Sequence, residues 1–404
     1  MGNLNDKHSD VKNSESTPKT VNTTRKYFSQ LSLNSLTNSF SRKSNISVRS
    51  VNTGERTYTS RSVSFWPKTS ELPKNLQESK TTWPVRRIEA LFLPEFAYKE
   101  SLINSNYKFI EFISKGAFGA VHKVKNILDG TEYALKILSK AKVIEEASVQ
   151  QVKDEVRIQR SIGHHKFIVN CILQWQDKHH LYIVSNYIPG GELFQLCHRL
   201  KQFPEDLVKV LTAEIAIALD FLHNAGIIYR DLKAENVLLD ALGHIKLIDF
   251  GLSKWLSFGD RTYTRCGTPL YMAPEIYTGE GYGYAVDWWC LGVLCCYLMT
   301  NEYPKLQMEN EIGSAKVILP TSVEVLSPSA QDLLGRLLEI NPRFRLRSLL
   351  NMRGIAFFKG YSIDDVMNLK IVPLRLIEMA LNEPFIITES SQCTAFDGFS
   401  SSLV

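Results

Sequence analysis

Apolar residues fall without any period over residues 1–70 and settle into regular ones from Tyr107 onward. Residues 107–113 and 120–126 predict strands flanking a glycine loop, and 131–138 predicts a third. Residues 145–162 change to a helical period, with Val149, Val152 and Val156 on one face. Residues 181–188 read as a fifth strand, followed by Gly190-Gly191-Glu192. Residues 204–224 carry a strong helical pattern: Pro204 opens it, and Leu211, Ile215, Leu219 and Leu222 form its apolar stripe. After Gly251 the pattern is mostly helical and ends near Phe358. Strands first and helices second predict an α+β chain of two unequal lobes, small and β-rich, then large and helical.

Composition changes the picture at the ends. Residues 1–70 contain 15 Ser, 9 Thr and 8 Asn. Such a segment cannot bury enough apolar surface to offset its ordering entropy, so 1–82 is expected to be a disordered tail. The net charge of +5 belongs to that tail, because residues 1–80 hold 13 Lys/Arg against 6 Asp/Glu. Its charges are dispersed among Ser and Thr with few aromatics, which argues against nucleic acid as a partner. Residues 83–106 are expected to dock on the folded domain through Trp83-Pro84-Val85 and Leu91-Phe92-Leu93-Pro94-Glu95-Phe96. The domain itself is expected over 107–358, with a C-terminal tail over 359–404.

No apolar run approaches the roughly 18–20 residues of a membrane span. Residues 291–299 are the richest, and the run is short and contains Gly292. The first ten residues are too polar for a secretory signal. Seven scattered cysteines without a C-x-x-C pair predict free thiols in a reducing, cytoplasmic setting. His164-His165 and His179-His180 are adjacent pairs that diverge and lack cysteine partners, so zinc is not expected there.

Four short segments carry chemistry. Ser114-Lys115-Gly116-Ala117-Phe118-Gly119-Ala120-Val121 is a loop whose two glycines let backbone N–H groups approach phosphate oxygens. Tyr133-Ala134-Leu135-Lys136 puts a lysine on an inward position of the third strand. Glu155, nineteen residues on, lies in the candidate helix and can pair with it. Tyr229-Arg230-Asp231-Leu232-Lys233-Ala234-Glu235-Asn236 brings a carboxylate, a lysine and an asparagine onto one loop. Asp249-Phe250-Gly251 follows thirteen residues after Asn236. That is what phosphoryl transfer from ATP requires. Asp231 accepts or orients the acceptor hydroxyl proton, Lys233 offsets charge on the γ-phosphate, and Asn236 and Asp249 supply oxygen ligands to Mg²⁺.

The span 107–358 resembles the eukaryotic protein kinases, and that resemblance implies their two-lobed fold and an ATP- and Mg²⁺-dependent enzyme. Lys233 points to serine and threonine acceptors. Tyr229 in the usual histidine position, Thr264-Arg265-Cys266-Gly267-Thr268-Pro269 before Ala273-Pro274-Glu275, and Phe396-Asp397-Gly398-Phe399-Ser400 resemble the AGC group. Residues 83–96, the altered glycine loop and the short tail narrow the resemblance to the RSK-related kinases.

The resemblance then implies roles. Ser114, Gly116, Gly119, Val121, Ala134, Lys136 and Glu155 belong to the ATP site. Ser185 falls at the gatekeeper position behind the adenine. Glu192 reaches the ribose or an upstream substrate arginine, and Glu235 attracts such an arginine. Thr264 is the activation-loop phosphosite, modified by an upstream kinase, with Arg230 as its counter-charge. Thr268 contacts the acceptor region. Glu275 pairs with Arg345 and Asp287 orders the catalytic loop, both as scaffold. Phe396, Phe399 and Ser400 form a hydrophobic motif expected to dock beside the Glu155 helix, with Ser401 where a further aromatic is usual. Gly2 invites acylation, although Asp6 replaces the Ser or Thr that the motif takes, and only acylation would bring the chain to a membrane. Partners are therefore protein substrates. The alternative is an ATP-binding pseudokinase scaffold, which the intact set Lys136, Glu155, Asp231, Asn236 and Asp249 disfavours.

Overall fold

A computed structural model describes residues 86–99, 102–308 and 315–385. Gly2, residues 83–85, Phe396, Phe399 and Ser400 lie outside the described residues. The helices are α1 Arg87–Ala90, α2 Leu102–Asn106, α3 Lys140–Glu145, α4 Val149–Ile162, α5 Leu193–Leu200, α6 Glu205–Asn224, α7 Pro274–Thr278, α8 Ala285–Thr300, α9 Pro328–Leu337, α10 Leu349–Arg353, α11 Ile363–Met367 and α12 Leu374–Leu381. The first six strands are β1 Ala97–Tyr98, β2 Tyr107–Lys115, β3 Gly119–Asn126, β4 Glu132–Ser139, β5 Cys171–Gln176 and β6 His180–Asn186. They form one sheet in the order β1-β5-β6-β4-β3-β2. Further on come β7 Ile227–Ile228, β8 Val237–Leu239, β9 Ile245–Leu247 and β10 Lys254–Trp255, with β7 paired to β10 and β8 to β9.

The alternation in β4 builds the small lobe. Leu135 and Ile137 turn to one side, into a cluster with Tyr107, Val124, Trp175, Tyr182 and Val184. Leu138 turns to the other, where Val152 and Val156 of α4 cover the sheet. A Cβ at Gly119 would sit 1.7 Å from the Ile137 carbonyl oxygen, so only glycine allows β3 to approach β4 here.

Two sequence expectations need correction. The helix read as starting at 145 starts at Val149, and a separate short helix precedes it. Ala147 has φ +51°, which ends one helix and turns the chain into the next. Apolar period hides the break, because Val143 and Val149 pack into the same cluster. The strand at 180–186 is sixth, not fifth, because Ala97–Tyr98 pairs in parallel with β5.

In the large lobe α8 is buried along nearly its whole length, which explains the apolar run at 291–299 as a core helix. Among the described residues no helix is long and apolar enough to cross a membrane. Ile363 and Val366 of α11 and Ile377 of α12 join the same core, so the first part of the C-terminal tail is packed on the lobe.

Candidate active site

Lys136 is fixed by the ladder. Ala134 pairs with Ser185 and Lys136 with Ile183, so these four share the sheet face that α4 covers. Lys136 Nζ lies 2.6 Å from Glu155 Oε1 and 3.9 Å from Asp249 Oδ1. Burial opposes the charge on Lys136, but the Glu155 and Asp249 carboxylates outweigh it and its pKa is raised. Burial, with help from Asp249, pushes the Glu155 carboxyl up against the pull of Lys136. The site thus holds a charged ammonium at the floor of the glycine hairpin. In that hairpin Ser114 faces Val121 across the ladder, and the Gly116 N–H donates to the Gly119 carbonyl at 2.9 Å. Ser114 lies in the strand with no positive φ, so its side chain imposes no backbone strain on the loop.

The catalytic loop is held from below. Arg230 has φ +70°, a strained conformation for a side-chain-bearing residue. Asp287, fully buried, secures it by accepting the N–H of Tyr229 at 2.9 Å and of Arg230 at 2.7 Å, with His223 Nε2 at 2.8 Å. Above this, Asp231 Oδ2 accepts from Lys233 Nζ at 2.8 Å and Asn236 Nδ2 at 2.8 Å. Its Oδ1 accepts the Thr268 hydroxyl at 2.9 Å. Burial, with Asp249 adding to it, raises the Asp231 carboxyl against Lys233 and Thr268, in the direction that makes a better base.

Asn236 Nδ2 also donates to the Asp231 carbonyl at 2.8 Å, which leaves the amide oxygen as an acceptor. The Ile248 N–H donates to the Asn236 carbonyl at 3.0 Å, so the β8–β9 hairpin brings Asp249 beside Asn236. Asp249 has φ +58° and accepts the Gly251 N–H at 3.2 Å. Burial works against its charge, but Lys136, the Gly251 N–H and Lys233 hold its carboxyl below the ordinary value. Two hard oxygen donors, one neutral and one anionic, would suit a hard divalent cation such as Mg²⁺. Among the described residues no group of three His, Cys, Asp or Glu makes a self-sufficient metal cage.

Glu275 and Arg345 meet as a buried bidentate pair at 2.7 and 3.0 Å. Thr264 is exposed, and its carbonyl accepts the Tyr282 hydroxyl at 2.5 Å. Arg230 Nε donates to the Leu252 carbonyl at 2.5 Å, while its Nη1 is buried without a hydrogen-bond partner. Lys254, which sequence reasoning missed, places Nζ 3.4 Å from Thr262 Oγ1 on the same segment. His223 was missed as well, since a histidine near a helix end carries no motif. Glu192 precedes α5 and borders a cavity of about 310 Å³ with Arg199 and Phe385.

Ser185 is half-buried opposite Ala134, with its hydroxyl 3.5 Å from the Ala134 carbonyl. An adenine-like inhibitor carrying a benzyl-type group should therefore inhibit wild type more strongly than Ser185→Met, since each buried CH₂ contributes about 0.8 kcal/mol. Inhibition curves for the two proteins check this, and equal potency would mean no space exists behind Ser185.

Residues 107–353 match the protein kinase domain. The chain is 36% identical over 331 residues to the human ribosomal protein S6 kinase-related protein, covering 81% of this chain and 79% of that one. It is 35% identical over 342 residues to the cAMP-dependent protein kinase catalytic subunit of Dictyostelium discoideum, covering 78% and 51%. It is 38% identical over 276 residues to the RAC family serine/threonine-protein kinase homolog of the same organism, covering 67% and 61%.

Proposed function

This chain belongs to the protein kinase family, within its AGC group, and is a protein serine/threonine kinase; from that premise we propose that it transfers the γ-phosphate of ATP, with Mg²⁺, to substrates with upstream basic residues under control of Thr264 phosphorylation. One observation supports the reading above others. Lys136, Glu155 and Asp249 on one side, and Asp231, Lys233, Asn236 and Thr268 on the other, form two connected networks of charge and hydrogen bonds.

Each residue then has a task. Lys136, fixed by Glu155, orients the nonreacting phosphates. Asn236 and Asp249 would hold Mg²⁺, which neutralises phosphate charge when bound. Asp231 Oδ1 takes the acceptor hydroxyl proton, and Thr268 marks where that hydroxyl enters. Lys233 stays charged, because Asp231 outweighs the burial that opposes it, and it stabilises the γ-phosphate as the bond to it breaks. Glu235 Oε2 is buried without a hydrogen-bond partner, which suits a substrate guanidinium. Among the described residues six cysteines are free and buried, in keeping with a reducing, cytoplasmic setting.

The regulatory part rests on Arg230 Nη1, a buried donor that lacks an acceptor. A phosphate on Thr264, added by an upstream kinase, brings roughly −1.5 to −2 charge to this side of the molecule. A charge-assisted hydrogen bond contributes about 1.5–3 kcal/mol. Thr264→Ala should therefore lower kcat/KM roughly ten- to hundredfold. Mass spectrometry of active protein should find phosphate on Thr264, and full activity from unmodified protein would defeat the switch. Peptide arrays should show arginine enriched before the acceptor.

A further inference from the structure

Phe92 and Phe96 precede the span matched to the protein kinase domain, yet both are 0% exposed. They pack with Val143 of α3, Val152 and Val156 of α4, and Leu138 and Ile183 of the sheet. Their rings meet edge to face, with centroids 6.4 Å apart. Between them in sequence, the Glu95 side chain is 5% exposed, and its Oε2 is 2.9 Å from Lys153 Nζ. Its Oε1 accepts from Arg157 Nε at 2.5 Å. Burial opposes the Glu95 charge, but Lys153 and Arg157 hold its carboxyl below the ordinary value. Lys153 Nζ also donates to the Leu93 carbonyl at 2.6 Å. On the other side, Gln176 Nε2 donates to the carbonyls of Phe96 at 2.6 Å and Glu89 at 3.0 Å.

The apolar and charged contacts reach α4, while Gln176 ties the segment to β5. Val152 and Val156 make its apolar stripe, Lys153 and Arg157 lie one turn apart on one flank, and Glu155 lies on the other. Aromatic rings alone would let α4 slide or rotate against the segment. A buried carboxylate between two cations fixes one register, which is the best-attested use of a buried ion cluster.

We propose that residues 86–99 are a built-in brace for α4: they set the position of Glu155, and through it Lys136, and they fill the apolar face against which residues 396–400 were expected to dock. The inference rests on the kinase reading for its consequence and on the contacts above for the brace itself. Readiness of the ATP site is then set from the N-terminal side of the domain. Glu95 acts as a positioning residue, reaching Lys136 only through α4.

The test uses the full chain with three changes: Glu95→Lys; the charge exchange Glu95→Lys, Lys153→Glu, Arg157→Glu; and Phe396→Ala with Phe399→Ala. Glu95→Lys should speed hydrogen exchange over 149–162 by roughly tenfold. It should raise KM for ATP more than it lowers kcat. The charge exchange should restore both, and the Phe396/Phe399 pair should leave both near wild type. The brace is overturned if Glu95→Lys changes neither quantity, if the exchanged triple variant keeps wild-type thermal stability without recovering KM, or if the Phe396/Phe399 pair loosens α4 more than Glu95→Lys. Exchange over 149–162 is read without any assay of transfer. Expected exchange in a protein that phosphorylates no peptide would therefore uphold the brace and remove the functional reading.

Discussion

Asp249→Asn should lower kcat on peptide substrates by roughly 10²- to 10³-fold, the effect of removing one preorganised charge at the reacting group. The substitution keeps the shape of the side chain and an oxygen that can accept the Gly251 N–H, so the turn survives. It removes the anion that faces Lys136 and that would hold the metal. Lys136 Nζ is 3.9 Å from Asp249 Oδ1, and Glu155 remains at 2.6 Å, so the lysine stays in place. Steady-state kinetics with an unfolding curve for the same preparation separates chemistry from folding. Wild-type kcat in the variant would contradict the assignment of Asp249 to the metal.

Glu275→Ala should strongly destabilise the fold. Arg345 is 2% exposed and makes two bonds to Glu275. It also donates to the carbonyls of Ala285 and Ile340, each at 3.0 Å, and of Glu339 at 2.8 Å. Those carbonyls hold the guanidinium in place after its counter-charge has gone. A buried pair broken on one side costs about 3–5 kcal/mol, because the remaining charge is left without compensation. Urea unfolding should show the midpoint falling with the slope unchanged. A loss below about 1 kcal/mol would mean that water reaches Arg345, against its burial. Replacing both partners by apolar residues of similar volume should cost less than Glu275→Ala.

The site was legible where chemistry forces its parts into short segments. Asp231, Lys233 and Asn236 fall within six residues, and Asp249 follows on the next hairpin, so spacing alone places them together. Lys136 and Glu155 were legible from period: an inward strand position and a helix that can cover it. The brace was only half legible. Phe92 and Phe96 show as sticky positions, but nothing local says that Glu95 pairs with Lys153 and Arg157, about sixty residues away in sequence. Strand β1 has two residues and exists only through its pairing with β5, so no window on the sequence could reveal it. The break at Ala147 was hidden for the opposite reason, since the apolar period runs through it. The packed part of the tail did leave a signal: Ser362 caps α11 by accepting the Asp365 N–H at 3.2 Å, and a serine followed by acidic residues in the first turn marks a helix start.

The most direct measurement is transfer of labelled γ-phosphate from ATP to an array of serine- and threonine-containing peptides by purified full-length protein, with Asp249→Asn run beside it. The result expected is incorporation on serine and threonine, strongest with arginine upstream, dependent on Mg²⁺ and lost in the variant. Nucleotide binding without incorporation above the Asp249→Asn level, in protein phosphorylated at Thr264, would contradict it and make the chain an ATP-binding scaffold.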